Sequence, residues 1–138
     1  MEKRGQISLE YLIVVAFVVF VVILLLGLAI FYTATAQDNV ALNQLTNFAN
    51  KIINSAETVY YAGEPSKLTI TAYLPEGIKS SEIISNNLVF NITTSAGTSR
   101  IAFPSTVPID PASTFSISEG LKRLEVVATV SNVRITQT

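Results

Sequence analysis

The side chains that most often carry chemistry in proteins are scarce in this chain. It contains no histidine and no cysteine, so it lacks the commonest general base at neutral pH, the thiol nucleophile and the commonest zinc ligands. The acidic residues Asp110, Glu119 and Glu125 could form a carboxylate pair or a Ca²⁺ site, but their spacing resembles no ion-binding loop. Serine and threonine are abundant, yet there is no imidazole to activate one. We therefore predict a protein that is not an enzyme and holds no cofactor or metal.

Glu10 is the acidic residue in the most unusual position. It lies just before residues 12–32, a run of 21 residues without one charge. An acidic side chain near the middle of a membrane costs roughly 2.5–3.5 kcal/mol, and an unpaired carboxylate at the edge of the hydrocarbon is also unfavourable. Glu10 therefore either lies at the level of the lipid headgroups without a role or has a function that requires a charge there.

The apolar run of residues 12–32 is long enough to cross a bilayer as a helix. About 20 apolar residues, at a rise of ~1.5 Å each, span a hydrocarbon core of ~30 Å. Lys3 and Arg4 precede the run and indicate its cytoplasmic end, so the rest of the chain is expected outside the cell. A secretory signal has an apolar core of only about 7–15 residues and is discarded. Because this run is longer, we expect the mature protein to retain it.

The residues before the run are Gln6-Ile7-Ser8-Leu9-Glu10, which follow Lys3-Arg4-Gly5. Residues 6–10 resemble the class III signal peptide of archaeal type IV pilin-like proteins, whose pattern is Q-x-S-x-E-x-x-x-L. Gln6, Ser8 and Glu10 match this pattern, and Val14 stands where the pattern has leucine. The resemblance implies that a membrane prepilin peptidase cleaves between Gly5 and Gln6 on the cytoplasmic side. Residues 1–5 would then be a leader.

The same resemblance implies how the mature chain is used. Glu10 would pair with the freed α-amino group of Gln6, in its own chain or a neighbouring copy, and so set the register between subunits. The implied partners are the membrane before assembly, the prepilin peptidase, the pilus assembly machinery and other copies of the chain in a homopolymeric filament. The filament would lie at the cell surface and serve adhesion. A precursor pool would remain in the cell membrane, with its N-terminus cytoplasmic and its head outside.

A second helical segment is expected to follow the apolar run. Between residues 9 and 62 there is no proline and only one glycine, Gly27, which is expected to be a close-packing site between helices or a point of flexure. Beyond residue 32, apolar residues recur every three or four positions, as in an amphipathic helix. The apolar stripe comprises Ala41, Leu45, Phe48, Ile52, Ala56 and Val59, widened by Leu42, Ala49, Ile53 and Tyr60. The opposite face belongs in water or in a polar contact between subunits, and it comprises Asn43, Gln44, Asn47, Asn50, Lys51, Asn54, Glu57 and Thr58.

The remainder of the chain predicts a β-rich head. Gly63 and Pro65 are expected to end the helix. Apolar and polar residues then alternate in short segments separated by turn residues, which is typical of antiparallel strands. The expected strands are 67–74, 82–84, 88–93, 100–103, 114–118, 121–130 and 133–136. The predicted fold class is α+β: a leader (1–5), a long helix (6–62) with an apolar half (9–32) and an amphipathic half (33–62), and an antiparallel β-sandwich-like head (63–138).

Two further features limit the possible functions. The net charge of −1 provides no basic surface for nucleic acid. Asn91 begins the chain's one N-x-S/T sequon and is expected on the outward side of its strand, where a glycan could be attached. Two functions remain open. The chain is either a filament subunit or a single-pass membrane-anchored extracellular binding module that does not polymerise.

Overall fold

A single helix is followed by six strands, in the α+β fold that the sequence predicts. The computed structural model describes residues 3–138, with side chains from Ser8 onward. The elements are α1 (Lys3–Ala62), β1 (Lys67–Leu74), β2 (Ile78–Ile84), β3 (Asn87–Thr94), β4 (Gly97–Pro104), β5 (Gly120–Ala128) and β6 (Val133–Gln137). The chain divides into two compact units, which are described separately: an N-terminal unit up to Gln37 and a head unit, Asp38–Thr138.

Both ends of α1 can be compared with the sequence expectation. The sequence predicts a helix over residues 6–62, whereas α1 already begins at Lys3. The C-terminal end agrees with the prediction. Gly63 has a φ of 76°, and its N–H contacts the carbonyl oxygens of Val59 and Tyr60 at 3.2 and 3.1 Å. Glycine adopts this left-handed conformation without strain, so the chain leaves the helix there and enters β1.

The six strands form two antiparallel sheets of three strands each. One sheet has the order β1-β5-β6, and the other is the meander β2-β3-β4. In the first sheet Lys67 lies opposite Val127 and Leu74 lies opposite Gly120, so strands that are distant in the sequence pair along their length. In the second sheet β3 and β4 form a hairpin that pairs Asn87 with Pro104 and Thr94 with Gly97.

The core of the head unit lies between the second half of α1 and the inner faces of the two sheets. All six residues of the main predicted stripe except Ala41 are buried, and Ala41 packs against the core at its edge. The ring of Phe48 meets that of Phe90 edge-on at 6.0 Å between centroids, and Phe115 lies 5.8 Å from Phe48. Such aromatic pairs contribute about 0.5–1.5 kcal/mol beyond the area that they bury. The helix therefore forms one wall of the head.

The predicted strand at residues 114–118 is wrong. Residues 105–119 form an irregular segment between β4 and β5, which meets β6 only in isolated bridges of Ile109 with Val133 and of Thr114 with Thr136. Serine side chains satisfy backbone groups there instead of a strand ladder: the Ser118 N–H donates to the Ser116 hydroxyl, and the Ile135 N–H donates to that of Ser113. Two prolines of this segment, Pro108 and Pro111, lack N–H donors, which also disfavours a regular strand.

Lys122 and Val130, near the two ends of β5, lie in opposite environments. Lys122 has the inward parity of Leu124 and is 6% exposed, and its ammonium donates to the Ser118 hydroxyl at 2.6 Å. The predicted strand over 121–130 extends too far, because β5 ends at Ala128 and Val130 is 90% exposed. The Thr129 N–H then donates to the Asn132 carbonyl oxygen and turns the chain into β6.

Candidate assembly surface

The N-terminal unit exposes apolar side chains on all sides of its helix. Leu28, Phe31 and Tyr32 are 67%, 75% and 80% exposed, and the large apolar side chains between Leu9 and Ile30 are exposed as well, except for that of Val21, which is half-buried. By length and composition this helix is sufficient to cross a membrane. Burying a Val, Leu, Ile or Phe side chain contributes roughly 1.5–3 kcal/mol. A surface of this kind is therefore stable only when lipid or other protein covers it.

The predicted processing residues lie at the beginning of this helix. The predicted leader, residues 1–5, and the predicted first mature residue, Gln6, lie outside the residues whose side chains the structure describes. Ser8 and Glu10 are both described and both exposed. Among the described side chains, the ion pairs are found only in the head unit, so Glu10 has no basic partner within this part of the chain. A partner for Glu10 would have to come from residues 1–7, whose side chains lie outside the described part of the chain, or from another molecule.

Gly27 leaves a small notch in the apolar surface. A Cβ atom built on Gly27 would meet nothing within 4 Å. The N-terminal unit therefore has no internal packing reason for a glycine at this position, although glycine is about 1 kcal/mol less favourable than alanine inside a helix. The notch allows the backbone of another helix to approach closely, which is the usual role of small residues between membrane helices.

The charged residues in the second half of α1 all bind the head. The two oxygens of the Asp38 carboxylate accept the Ser95 N–H at 3.2 and 3.0 Å, and the Ser95 hydroxyl donates to the same carboxylate. The Lys51 ammonium donates to the Thr71 carbonyl oxygen at 2.6 Å. These contacts fix the β3–β4 turn and strand β1 to the helix, and the sequence pattern alone did not reveal them.

Glu57 completes this set of contacts between helix and head. Its carboxylate accepts the Thr106 hydroxyl at 2.5 Å. Asp38, Lys51 and Glu57 are the only charged residues between positions 38 and 62. The remaining exposed surface of this half of the helix is consequently uncharged.

The three carboxylates considered for chemistry do not form a common site. Asp110 binds Arg134, Glu119 accepts the Tyr73 hydroxyl at 2.7 Å, and Glu125 lies 3.3 Å from the Lys67 ammonium. The hydrogen bond to Glu119 stabilises the protonated tyrosine and raises the pKa of Tyr73. In the part of the chain that the structure describes, no three Asp, Glu, His or Cys residues come together as metal ligands.

Asp110 instead fixes the irregular segment to the edge of the β1-β5-β6 sheet. One carboxylate oxygen accepts the Ala112 N–H at 2.9 Å, and the other accepts Nε of Arg134 at 2.9 Å and lies 2.9 Å from Nη2. The backbone hydrogen bond first, and then the guanidinium, stabilise the charged carboxylate and lower the pKa of Asp110.

This arrangement predicts how the stability of the head depends on pH. Because the folded-state pKa of Asp110 is lowered, its contribution is complete above the unfolded-state pKa of about 4 and is lost as the pH falls through the lower folded-state value. We expect Asp110→Asn to lower the urea midpoint at pH 7, and the difference from wild type to shrink at pH 2–3. Urea titration of the full chain in detergent at several pH values tests this. Glu82→Gln, in a solvent-exposed ion pair with Arg100, is the matched control and should change little. A constant difference across the pH range would contradict the assignment.

The glycosylation candidate Asn91 is less accessible than the alternation suggested. It lies on the outer side of β3, but it is half-buried, and its amide nitrogen donates to the Ser80 hydroxyl of β2 at 2.7 Å. A glycan attached to this nitrogen would have to displace or rearrange that hydrogen bond. Whether the sequon is used stays a prediction.

Comparison of the chain with protein-family models, with curated proteins and with solved structures gives no match. The function is therefore inferred from the exposed apolar helix and the head built on its second half.

Proposed function

We propose that this chain is the structural subunit of an archaeal type IV-like pilus and has no enzymatic role. The subunit is held in the membrane by its apolar helix before assembly. It then exchanges lipid for the helices of other copies when the filament forms. The heads remain outside and provide the filament surface, for which adhesion is the proposed use.

One observation carries this proposal: α1 is a single helix from Lys3 to Ala62 whose first half is apolar on every side and whose second half is a wall of the head. In the sequence, neither a proline nor a low-complexity stretch lies between the apolar run and Gly63. A module that only needed tethering would function with a short anchor and any linker. In a filament, each subunit contributes a helix to the core and a head to the outer surface, so the two must belong to one chain.

The motif residues support the same proposal. Glu10 is an exposed carboxylate at the beginning of an apolar surface, and it has no basic partner among the described side chains. In a filament interior that excludes water, an unpaired carboxylate is costly, and a neighbouring ammonium group would neutralise it. Cleavage between Gly5 and Gln6 would create such an ammonium group. Gly27 would then provide a point of close approach between assembled helices.

The competing function is a single-pass anchored binding module, which the same apolar helix also supports. The two functions differ in where the mature chain is found. Filaments sheared from cells that make the native protein should contain this chain, with an intact mass that begins at Gln6. In cells that lack prepilin peptidase, the chain should keep its leader and no filaments should form. Recovery from the membrane fraction alone would favour the anchor, and a mature chain that begins downstream of Tyr32 would exclude both functions.

A further inference from the structure

The exposed side of the second half of α1 carries a row of asparagines. Asn39, Asn43, Asn47, Asn50 and Asn54 are separated by four, four, three and four positions, which keeps them on one side of a helix with 3.6 residues per turn. All five side chains are exposed. We call this row the Asn face. Leu45 and Ile52 are buried and lie two positions after Asn43 and Asn50. Two positions correspond to about 200° around a helix, so the Asn face lies on the side opposite the core.

The Asn face has the composition of a contact surface rather than of an ordinary solvated helix face. Solvated faces usually carry Lys and Glu, which favour helices and form pairs along the surface. Asparagine is a poorer helix former, and no side-chain hydrogen bond within the described chain involves any of the five amides. The nearby charges of Asp38, Lys51 and Glu57 are all bound to the head. Local stability therefore gives no reason for asparagine at these positions.

We propose that the Asn face is a contact surface between neighbouring copies of this chain, formed by amide–amide hydrogen bonds. This inference rests on the proposed filament and specifies how its subunits meet above the apolar region. A primary amide both donates and accepts hydrogen bonds, so it is complementary to a copy of itself. Charged side chains on identical copies would instead repel one another. Buried asparagines pair in this way between identical helices of parallel coiled coils and fix their register.

The position of the Asn face also favours a second copy over another partner. It lies on the same helix as the apolar run and begins seven residues after Tyr32. Along the sequence it therefore adjoins the run that the proposed filament packs in its core. The head covers the other side of these turns, through Leu45, Phe48 and Ile52. The head leaves the Asn face exposed to a neighbour, with Asn47 at its border, where it lines a groove beside Thr71 and Tyr73 of β1.

The absence of cysteine from the chain makes a direct test possible. Asn47→Cys in the full-length chain should react with a maleimide at least about tenfold more slowly in filaments than in detergent-dispersed subunits, because an interface excludes water and reagent. Val130→Cys, at a 90% exposed position of the head, is the matched control and should react at similar rates in both states. Equally fast labelling of Asn47→Cys in both states would overturn the inference.

A second test uses charge and does not depend on labelling. Asn47→Asp alone and Asn47→Lys alone should each reduce the yield of filaments, because like charges would face one another. Co-expression of the two variants should restore mixed filaments. Val130→Asp is the control for an added carboxylate and should leave the yield unchanged. Normal filament yield from Asn47→Asp alone would also overturn the inference.

These outcomes separate the inference from the proposed function. One outcome is that wild-type filaments form with subunits that begin at Gln6 while the Asn47 variants behave like the Val130 variants. In that case the Asn face is not a contact surface, and the proposed function as a pilus subunit is unaffected. If the unaltered chain never enters filaments, the proposed function fails, and the inference fails with it.

Discussion

Replacing Val22 by aspartate is expected to abolish filaments. Val22 lies in the middle of the apolar run, where its side chain is exposed to whatever surrounds the helix. An acidic residue at the centre of a membrane helix costs about 2.5–3.5 kcal/mol, which corresponds to roughly a hundredfold shift in an equilibrium. The same charge would be buried without a partner in a filament interior. The amounts of the chain in the membrane fraction and in sheared filaments measure the effect.

Two controls separate the effect of polarity from that of position. Val22→Leu keeps the surface apolar and should assemble normally. Val130→Asp adds the same carboxylate to the head at a 90% exposed site and should also assemble normally. Because residue 22 lies in the N-terminal unit, the head of Val22→Asp should unfold at the same urea concentration as wild type. Wild-type amounts of filaments from Val22→Asp would show that the apolar run is not the assembly surface.

Truncating Leu124 to alanine is expected to remove a large part of the stability of the head. Leu124 is fully buried in the central strand β5, opposite Ile70 of β1. Leu-to-Ala changes in protein cores cost about 2–5 kcal/mol, since they lose buried area and leave a cavity. Domains of this size are stable by only about 5–15 kcal/mol. Urea unfolding of the full chain in detergent, followed by near-UV circular dichroism, should therefore show a clear fall in the midpoint.

Leu121 provides a matched control on the same strand. It lies three residues before Leu124, and its side chain is 73% exposed on the outer face of the sheet. Leu121→Ala removes the same atoms but little buried area, so its effect should be within about 0.5 kcal/mol. Equal destabilisation by the two substitutions would contradict the inward and outward assignment of β5.

The candidate assembly surface was largely visible in the sequence. A run of uncharged apolar residues can be recognised without tertiary information, because its ability to span a membrane depends only on its length relative to the thickness of a bilayer. The contacts of Asp38 with Ser95 and of Asp110 with Arg134 were not visible. Each joins residues that are far apart in the chain, and neither residue type nor spacing indicates which distant partner a carboxylate will find.

Local periodicity predicted the helix and most of the strands, and the residue types at Gly63 and Pro65 predicted where the helix ends. A helix repeats every 3.6 residues and a strand every two, so a short window of sequence is enough to show which side chains share a face. Only the tertiary structure decided that β1 pairs with β5, and that the strands divide into two sheets of three. It also decided that Lys122 is buried beneath Ser118 and that residues 114–118 form no strand. Strand pairing and the covering of a side chain depend on parts of the chain that are distant in sequence, and a local pattern contains no information about them.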